Sequence, residues 1–590
     1  MSTYKSVFVC LFALAGCHSS EPGTTGSPPT TSSTGTTGSS GSSGSTGGSG
    51  GSSSGSAVVQ CNDLAPLASG TCSYTVGNST TLLTGTVLGA GTIYRGGQVA
   101  IDSTGNITCV ACDCSSSAQG ATQITCPTGV ISPALINTHD HITYSQNNPY
   151  THPANPFGSG EERYEHRNDW RIGLNGHTLL NVPGHASTDQ IKWTELRFLL
   201  GGATSTVGSG GVNGLVRNLD TGTWEGGLNV RAVDFDTFPL DDTSGTQLAT
   251  GCNYSTDMIT PAQLVDVFSY EPHVAEGIRD FAENEFTCLA SGDSAHDVID
   301  LSKTAVIHGV GLTAADYGEM ADAGSKLIWS PRSNITLYGD TARVPEAVRQ
   351  GVTVALGTDW LATGSMNMLR ELQCADSYNQ TFLDHFFTDE QLWKMVTINA
   401  AKVTAFDNVI GSIEVGKVAD ISIFNGATNT DHRAVIAAQP ADVVLVMRGG
   451  KVLYGDAPLV ADATCDALSV CGASKKVCVQ GEFSETYSQL QTAVGTDYGL
   501  YFCGAPDNEP SCEPQRWTGL NGSTVYTAGP TSGDQDGDGI PDATDNCPTV
   551  FNAIRPMDNG VQPDSDGDGL GDACDPCPFD ATNTCTPHTF

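Results

Sequence analysis

Two histidines one residue apart, His139 and His141 in "VISPALINTHDHITY", come at the end of an apolar run. Side chains alternate along a strand, so residues i and i+2 share a face and these two imidazoles point the same way. Two neutral imidazoles on one face are half of a divalent metal site. Three later segments supply residues of the same kind where an apolar run turns into a loop. "EPHVAEG" carries His273 with Glu276 three positions on, "TAVIHGV" carries His308, and "VTVALGTDW" carries Asp359. Imidazole and carboxylate side chains recurring at such points are what one shared metal site requires.

For these residues to meet, the fold must gather the ends of distant strands. The strand-like runs "GATSTVGSG", "LNVRAVDFDTF", "TAVIHGV", "KLIWSPRSN" and "VTVALGTD" alternate with helical segments such as "TAADYGEMADAG" and "PEAVRQ". That alternation predicts an α/β fold with a parallel sheet and crossover helices, and over about 280 residues a (β/α)8 barrel is its natural closure, here across residues 131–405. Active sites in such barrels are built from the C-terminal ends of the strands. The β-rich runs on either side, "TVLGAGTIYRGGQVAID" before and "GSIEVGKVADISIFNG" and "ADVVLVMRGGKVLYGD" after, predict a small composite β-sandwich. Residues 57–130, with a Cys-rich insertion, and 406–460 would form it. The charged stretch "EERYEHRNDWR" reads as a long loop after the first barrel strand, which makes His166, Trp170 and Arg171 candidates for substrate contact. Asp140, between the two histidines, should point away and serve a structural hydrogen bond. "GSGGVNG" at 208–214 lacks the Gly-Lys-Ser/Thr of a phosphate loop and is assigned no nucleotide.

Taken in order, H-x-H, His-x-x-Glu, the later His, "SPRSN", "GTD" and "GSIEVGKVAD" resemble the amidohydrolase superfamily, in the branch of guanine deaminase, the triazine chlorohydrolases and imidazolonepropionase. The resemblance covers roughly residues 83–460. Other branches hold two metals with a carboxylated lysine; no lysine lies between Lys192 and Lys303, so one metal is implied. Carried over by position, the resemblance implies a metal on His139, His141, His273 and Asp359, with zinc or iron compatible with that donor set. It further implies a metal-activated water, Asp359 as its proton acceptor, Glu276 as proton shuttle, and His308 to polarise the attacked carbon or stabilise the oxyanion. The expected substrate is a small molecule with a hydrolysable C–N bond. Deamination of an amino-heterocycle and opening of a cyclic amide both remain open.

The flanking sequence addresses location. Lys5 and the short apolar run "SVFVCLFALAG" read as a signal peptide, too short to span a bilayer, and "LAGC" resembles a bacterial lipoprotein cleavage site with Cys17 lipidated. Residues 1–17 would be that signal and 18–56, almost wholly Ser, Gly, Thr and Pro, a disordered tether. The expectation is an exported lipoprotein of the bacterial envelope, outer membrane or cell surface, touching membrane through its lipid anchor only. A formal net charge of −38 argues against a nucleic-acid partner. The sequence sets no oligomeric state. Cysteines other than Cys10 and Cys17 number 18 of the 20, an even count suited to disulfides, although Cys109, Cys112, Cys114 and Cys126 could instead form a zinc knot.

Residues 461–530 hold five cysteines and no recognisable motif. Beyond them, "DQDGDGIPD" and "DSDGDGLGD" place Asp534, Asp536, Asp538 and Asp542, then Asp564, Asp566, Asp568 and Asp572, in one register around Gly turns, an oxygen cage of the kind calcium prefers. With Cys547 and Cys574 they resemble thrombospondin type 3 repeats over 531–590, read as a separate calcium-binding device. The competing functional class is a non-catalytic surface-display or adhesion protein whose calcium repeats carry the function.

Overall fold

The computed structural model describes residues 55–590 apart from 224, 291, 587, 589 and 590. The expected signal peptide, Cys17 and nearly all of the tether fall outside the described residues. Among those described, no helix is long and apolar enough to cross a membrane.

Eight short strands form the centre: β1 (Leu135–Asn137), β2 (Ala203–Thr206), β3 (Arg217–Asn218), β4 (Asp234–Asp236), β5 (Tyr270–Val274), β6 (Ala305–His308), β7 (Lys326–Trp329) and β8 (Thr353–Leu356). All pair in parallel, β1–β2–β3 as one sheet and β4 to β8 in order as another. Most of their residues are buried, as expected of parallel strands covered on both faces. The two sheets meet through backbone hydrogen bonds. Val233 N donates to Leu219 O (2.9 Å) between β3 and β4, and just past β8 and β1 Asp359 N donates to His139 O (3.0 Å) while His141 N donates to Asp359 O (3.1 Å). Helices fill several of the connections. "TAADYGEMADAG" gives Ala314–Ala323, started by the Thr313 side chain on Asp316 N and ended at Gly324. Two more bear on the site: α1 (Arg167–Ile172) and α2 (Pro331–Tyr338), which opens on a proline that needs no donor there.

The two flanks of the chain pair within one eleven-stranded mixed sheet. Ala121–Pro133 lies parallel to Asn78–Gly89 and antiparallel to Ile421–Asn425, then runs directly into β1. Leu83, Val99, Ile131, Ile421 and Leu445 make its core. A buried ion pair, Arg217 Nε to Asp420 Oδ2 at 2.6 Å, ties this sheet to β3.

Residues 461–530 extend the same sheet with Asp466–Val470 and Ala473–Val477, and helix Tyr487–Val494 packs on Thr188–Leu200. The described cysteines form nine disulfides, including Cys61–Cys112, Cys72–Cys126 and Cys109–Cys114 in place of a zinc knot, and Cys374–Cys512, which fastens the motif-less segment to helix Met368–Phe382. The acidic repeats are not a separate device: Phe551 N donates to Phe382 O (2.8 Å), and Arg555 is buried against the strand-and-helix body.

Candidate metal centre

His139 is fully buried, and neither of its ring nitrogens has a hydrogen-bond partner. A buried polar group left alone is costly, and such an orphan asks what it is for. Its Nε2 lies 3.3 Å from Asp359 Oδ1, and His141 Nε2 lies 3.6 Å from the same oxygen. His273 Nε2 faces His141 Nε2 at 3.3 Å, and His308 joins His139 and His273 in a group whose ligand atoms all lie within 4.8 Å of one another. The ligand-type residues expected from sequence are thus brought together at the C-terminal ends of β1, β5, β6 and β8. His308 and Asp359 take left-handed backbone conformations (φ +72° and +58°), as does Ala275 (φ +55°). For non-glycine residues this is strain of order 1–3 kcal/mol each, of the kind that collects at functional sites.

Neighbours fix the rings. His273 Nδ1 donates to Asp236 O (3.2 Å), turning its Nε2 lone pair inward, and His308 Nδ1 donates to Asn334 Oδ1 (3.0 Å). Asp359 Oδ2 accepts from Ser333 Oγ at 2.5 Å. Ser333 and Asn334 both stand on α2, within the "SPRSN" segment. Asp140 Oδ2 accepts from Thr358 Oγ1 (2.7 Å). Burial, then the neighbouring His139, pushes His141 down to about 3, and burial holds His273 well below the usual histidine range. These rings are therefore neutral, the form in which imidazole binds metal. Burial resists ionisation of Asp359, but the contact with His139 outweighs it and keeps the carboxyl below its ordinary range. Four inward imidazoles with a shared carboxylate, one of them buried with no hydrogen bond at either ring nitrogen, fit a divalent transition metal.

Glu276 sits beside this group. Its Oε2 is 3.8 Å from His308 Nε2, and its Oε1 accepts from Tyr338 Oη at 2.8 Å. Burial raises its pKa, so it is suited to carry a proton. A cavity of about 260 Å³ opens over the site between Tyr144, Trp170, Arg171, Phe238 and Trp360, with His141, His273, Glu276, His308 and Asp359 at its floor. Trp170 and Trp360 stand 5.5 Å apart between ring centroids, and Arg171 lies over the Phe238 ring at 4.8 Å. Such walls suit a flat ring.

Trp170 and Arg171 line this cavity; His166 does not. His166 Nε2 bonds Glu285 (3.0 Å) and its Nδ1 accepts from Asn168 N, capping α1, so both nitrogens are occupied in a buried network and the expected substrate contact is corrected. Sequence reasoning missed Tyr144, Phe238 and Tyr338, which no motif marks, while Trp360 follows directly on "GTD".

In the C-terminal repeats, Asp534, Asp536 and Asp538 gather their carboxylates within 4.8 Å, and so do Asp564, Asp566 and Asp568. Asp542 and Asp572 stand outside these groups. They accept from the backbone N–H groups of Gln535 and Ser565 (2.8 Å each), closing the loops instead.

Residues 273–453 match the Amidohydrolase family and residues 532–555 the Thrombospondin type 3 repeat. The chain is similar to a 5-methylthioadenosine/S-adenosylhomocysteine deaminase of Thermoanaerobacter pseudethanolicus, 33% identical over 160 residues, 25% of this chain and 37% of that protein. A protein of the same name from Symbiobacterium thermophilum is 24% identical over 422 residues, 63% of this chain and 92% of that one. The chain spans about a third of the length of the first curated relatives that it matches. Among solved structures it is similar to an adenosine deaminase from Xanthomonas campestris with bound zinc (16% identity, TM-score 0.44, covering 65% of this chain and 95% of that one). It is also similar to a guanine deaminase from Bradyrhizobium japonicum (14% identity, TM-score 0.42, 64% and 99%).

Proposed function

Because the chain carries an amidohydrolase-family domain and a thrombospondin type 3 repeat, we propose that it is a metal-dependent hydrolase of a C–N bond in a small cyclic substrate, most simply the deamination of an amino-heterocycle. The observation that carries this reading is His139, buried and unpartnered at both ring nitrogens among other ligand-type atoms. His139, His141, His273 and Asp359 would hold the ion, zinc in this reading and iron the alternative. When bound, the metal supplies a water acidic enough to attack near neutral pH.

The chain's own groups do the rest. Asp359 accepts the proton that the attack releases, with Ser333 holding its Oδ2. Glu276 carries a proton to the ring nitrogen next to the attacked carbon and then to the departing amine. His308, fixed through Nδ1 on Asn334, exchanges a proton at Nε2 with Glu276; in its protonated form it donates to the developing oxyanion. Trp170, Arg171 and the aromatic walls orient the ring and exclude water.

The same reading takes the eight parallel strands as one (β/α)8 barrel, with the flank strands as its composite β-sandwich domain. Calcium belongs to the two Asp groups of the repeats. The "LAGC" pattern supports a lipidated Cys17 and a place on the bacterial envelope.

Metal analysis of the purified protein, with ammonia release followed across amino-substituted heterocycles beside lactams and imidazolones, tests the proposal. We expect one tightly bound transition metal per chain and ammonia from at least one amino-heterocycle. Metal-replete protein that releases none yet opens lactams assigns the ring-opening reaction. Protein that binds no transition metal removes the enzymatic reading altogether.

A further inference from the structure

Four consecutive residues, Tyr338 to Thr341, leave the end of α2 beside the candidate site. Their site-facing side is engaged with the proton-carrying groups. Tyr338 Oη donates to Glu276 and accepts from Trp170 Nε1 (2.8 Å each), while Thr341 Oγ1 accepts from Asn334 Nδ2 (3.2 Å), the same amide whose oxygen holds His308.

The opposite side of this turn is held by the C-terminal part of the chain. Arg516 Nη1 donates to Tyr338 O (2.7 Å), Tyr526 Oη to Gly339 O (3.2 Å), Arg555 Nε to Asp340 Oδ2 (2.7 Å), and Arg555 Nη2 to Thr341 O (2.8 Å). Every residue of the turn is thus bonded from behind by a residue more than 170 positions away. The approach is close: Gly339 has φ +73°, and a Cβ there would stand 2.4 Å from Gln515 O, so only glycine admits the segment.

A second path leads from the same arginine to Glu276. Arg516 Nη1 also donates to Tyr164 O (3.1 Å), and Asn521 Nδ2 donates to Glu165 Oε2 (2.6 Å). Residues 165–167 in turn hydrogen-bond the backbone of 276–278: Arg167 N to Glu276 O and Ile278 N to Glu165 O, 2.9 Å each. Both arginines are buried, and a buried guanidinium bonded to backbone carbonyls fixes geometry, since each lost bond leaves a charged donor without water.

We propose that Arg516 and Arg555 are positioning residues for the reaction, and that the segment from 516 to 555, which reaches into the thrombospondin repeat, is the back wall that sets Glu276 and His308 at the metal centre. The proposal rests on the catalytic reading above for its kinetic consequence but not for its structural one.

The full chain serves for the test, as wild type and as Arg516→Ala, Arg516→Lys, Tyr526→Phe, Tyr338→Phe and the Arg516→Ala/Tyr338→Phe pair. Hydrogen exchange read by mass spectrometry should speed up about tenfold in Arg516→Ala, in peptides covering 274–279 and 305–310 as well as around residue 516. Tyr526→Phe, which removes one hydroxyl and nothing else, should move the same peptides less and serves if Arg516→Ala fails to fold. On the amino-heterocycle that yields ammonia, kcat should fall about ten- to a hundredfold with KM nearly unchanged, because Arg516 acts on the position of Glu276 and touches no substrate. Arg516→Lys, which keeps one donor for Tyr338 O, should recover part of the loss. The effects of Arg516→Ala and Tyr338→Phe should be strongly non-additive. Exchange that quickens only around residue 516, or kcat losses that simply add, would overturn the proposal. If the wild type neither releases ammonia nor opens a ring in any compound, the catalytic reading fails and the exchange measurement still decides this one.

Discussion

Asp359 presents one oxygen to His139 and His141 and the other to Ser333, so the two roles proposed for it would sit on two atoms. Replacing it with Asn keeps the shape and removes the charge. Asp359→Asn should fold yet lose a factor of about 10² to 10⁴ in kcat together with metal affinity, and near-normal turnover would end the mechanism. Glu276 separates these effects, since it lies beside the ligand group and is no member of it. Glu276→Gln should bind the metal stoichiometrically and lose turnover by a similar factor; loss of metal in that variant would make Glu276 a ligand instead. That His139, His141, His273 and Asp359 come together was legible in the sequence because each closes or follows an apolar run, a local property, and because their order resembles that of a known family. His166 was misread for the opposite reason. "EERYEHRNDWR" has the composition of a solvated loop, but its charges are paired with Glu285 and Asp242, 119 and 75 positions on, and such partners leave no local pattern. Tyr338 was invisible in the same way, as its role comes from Glu276, 62 positions earlier.

At the level of elements, strands with apolar runs were read correctly in place. "TAVIHGV" gives β6, "KLIWSPRSN" gives β7 and the start of α2, and "VTVALGTD" gives β8. β3 is two residues long, Arg217 and Asn218, and neither is apolar; its register comes from Ser205 and Thr206 across the sheet, which no window of sequence reports. The motif-less stretch 461–530 was equally silent because its contacts are long-range, chief among them the Cys374–Cys512 bridge across a separation of 138 residues. Closing so long a loop restricts the unfolded chain. The Cys374→Ser/Cys512→Ser pair should therefore lose about 2–5 kcal/mol of stability, seen as a lower Tm with the remaining disulfides intact. An unchanged Tm would mean that the segment is held by its hydrogen bonds alone.

Over the whole molecule, the net charge of −38 concentrates its conflict in the repeats. Burial, then the neighbouring carboxylates, pushes Asp536 up to about 9 and Asp538 up to about 7. Without calcium the folded tail holds protons that the unfolded chain has released above its ordinary carboxyl pKa near 4. That contribution to stability is complete below about pH 4 and is lost as pH rises through about 7 to 9. On the proposed reading a bound cation would take the place of those protons. Tm should therefore drop between pH 5.5 and 8.5 in chelator and hold in millimolar calcium, whereas equal drops in both buffers would exclude calcium from these carboxylates. The repeats were legible because their register is local; their attachment was not, since Arg555 finds Asp340 across 215 residues. That attachment has a bearing on biosynthesis. A ribosome delivers Asp359 long before Cys512, Arg516 and Arg555, so a growing or prematurely ended chain completes its ring of ligands first and its brace last. On the proposed reading such a chain would hold its ion-binding residues without the brace that Arg516 and Arg555 supply, and would turn over more slowly than the full chain.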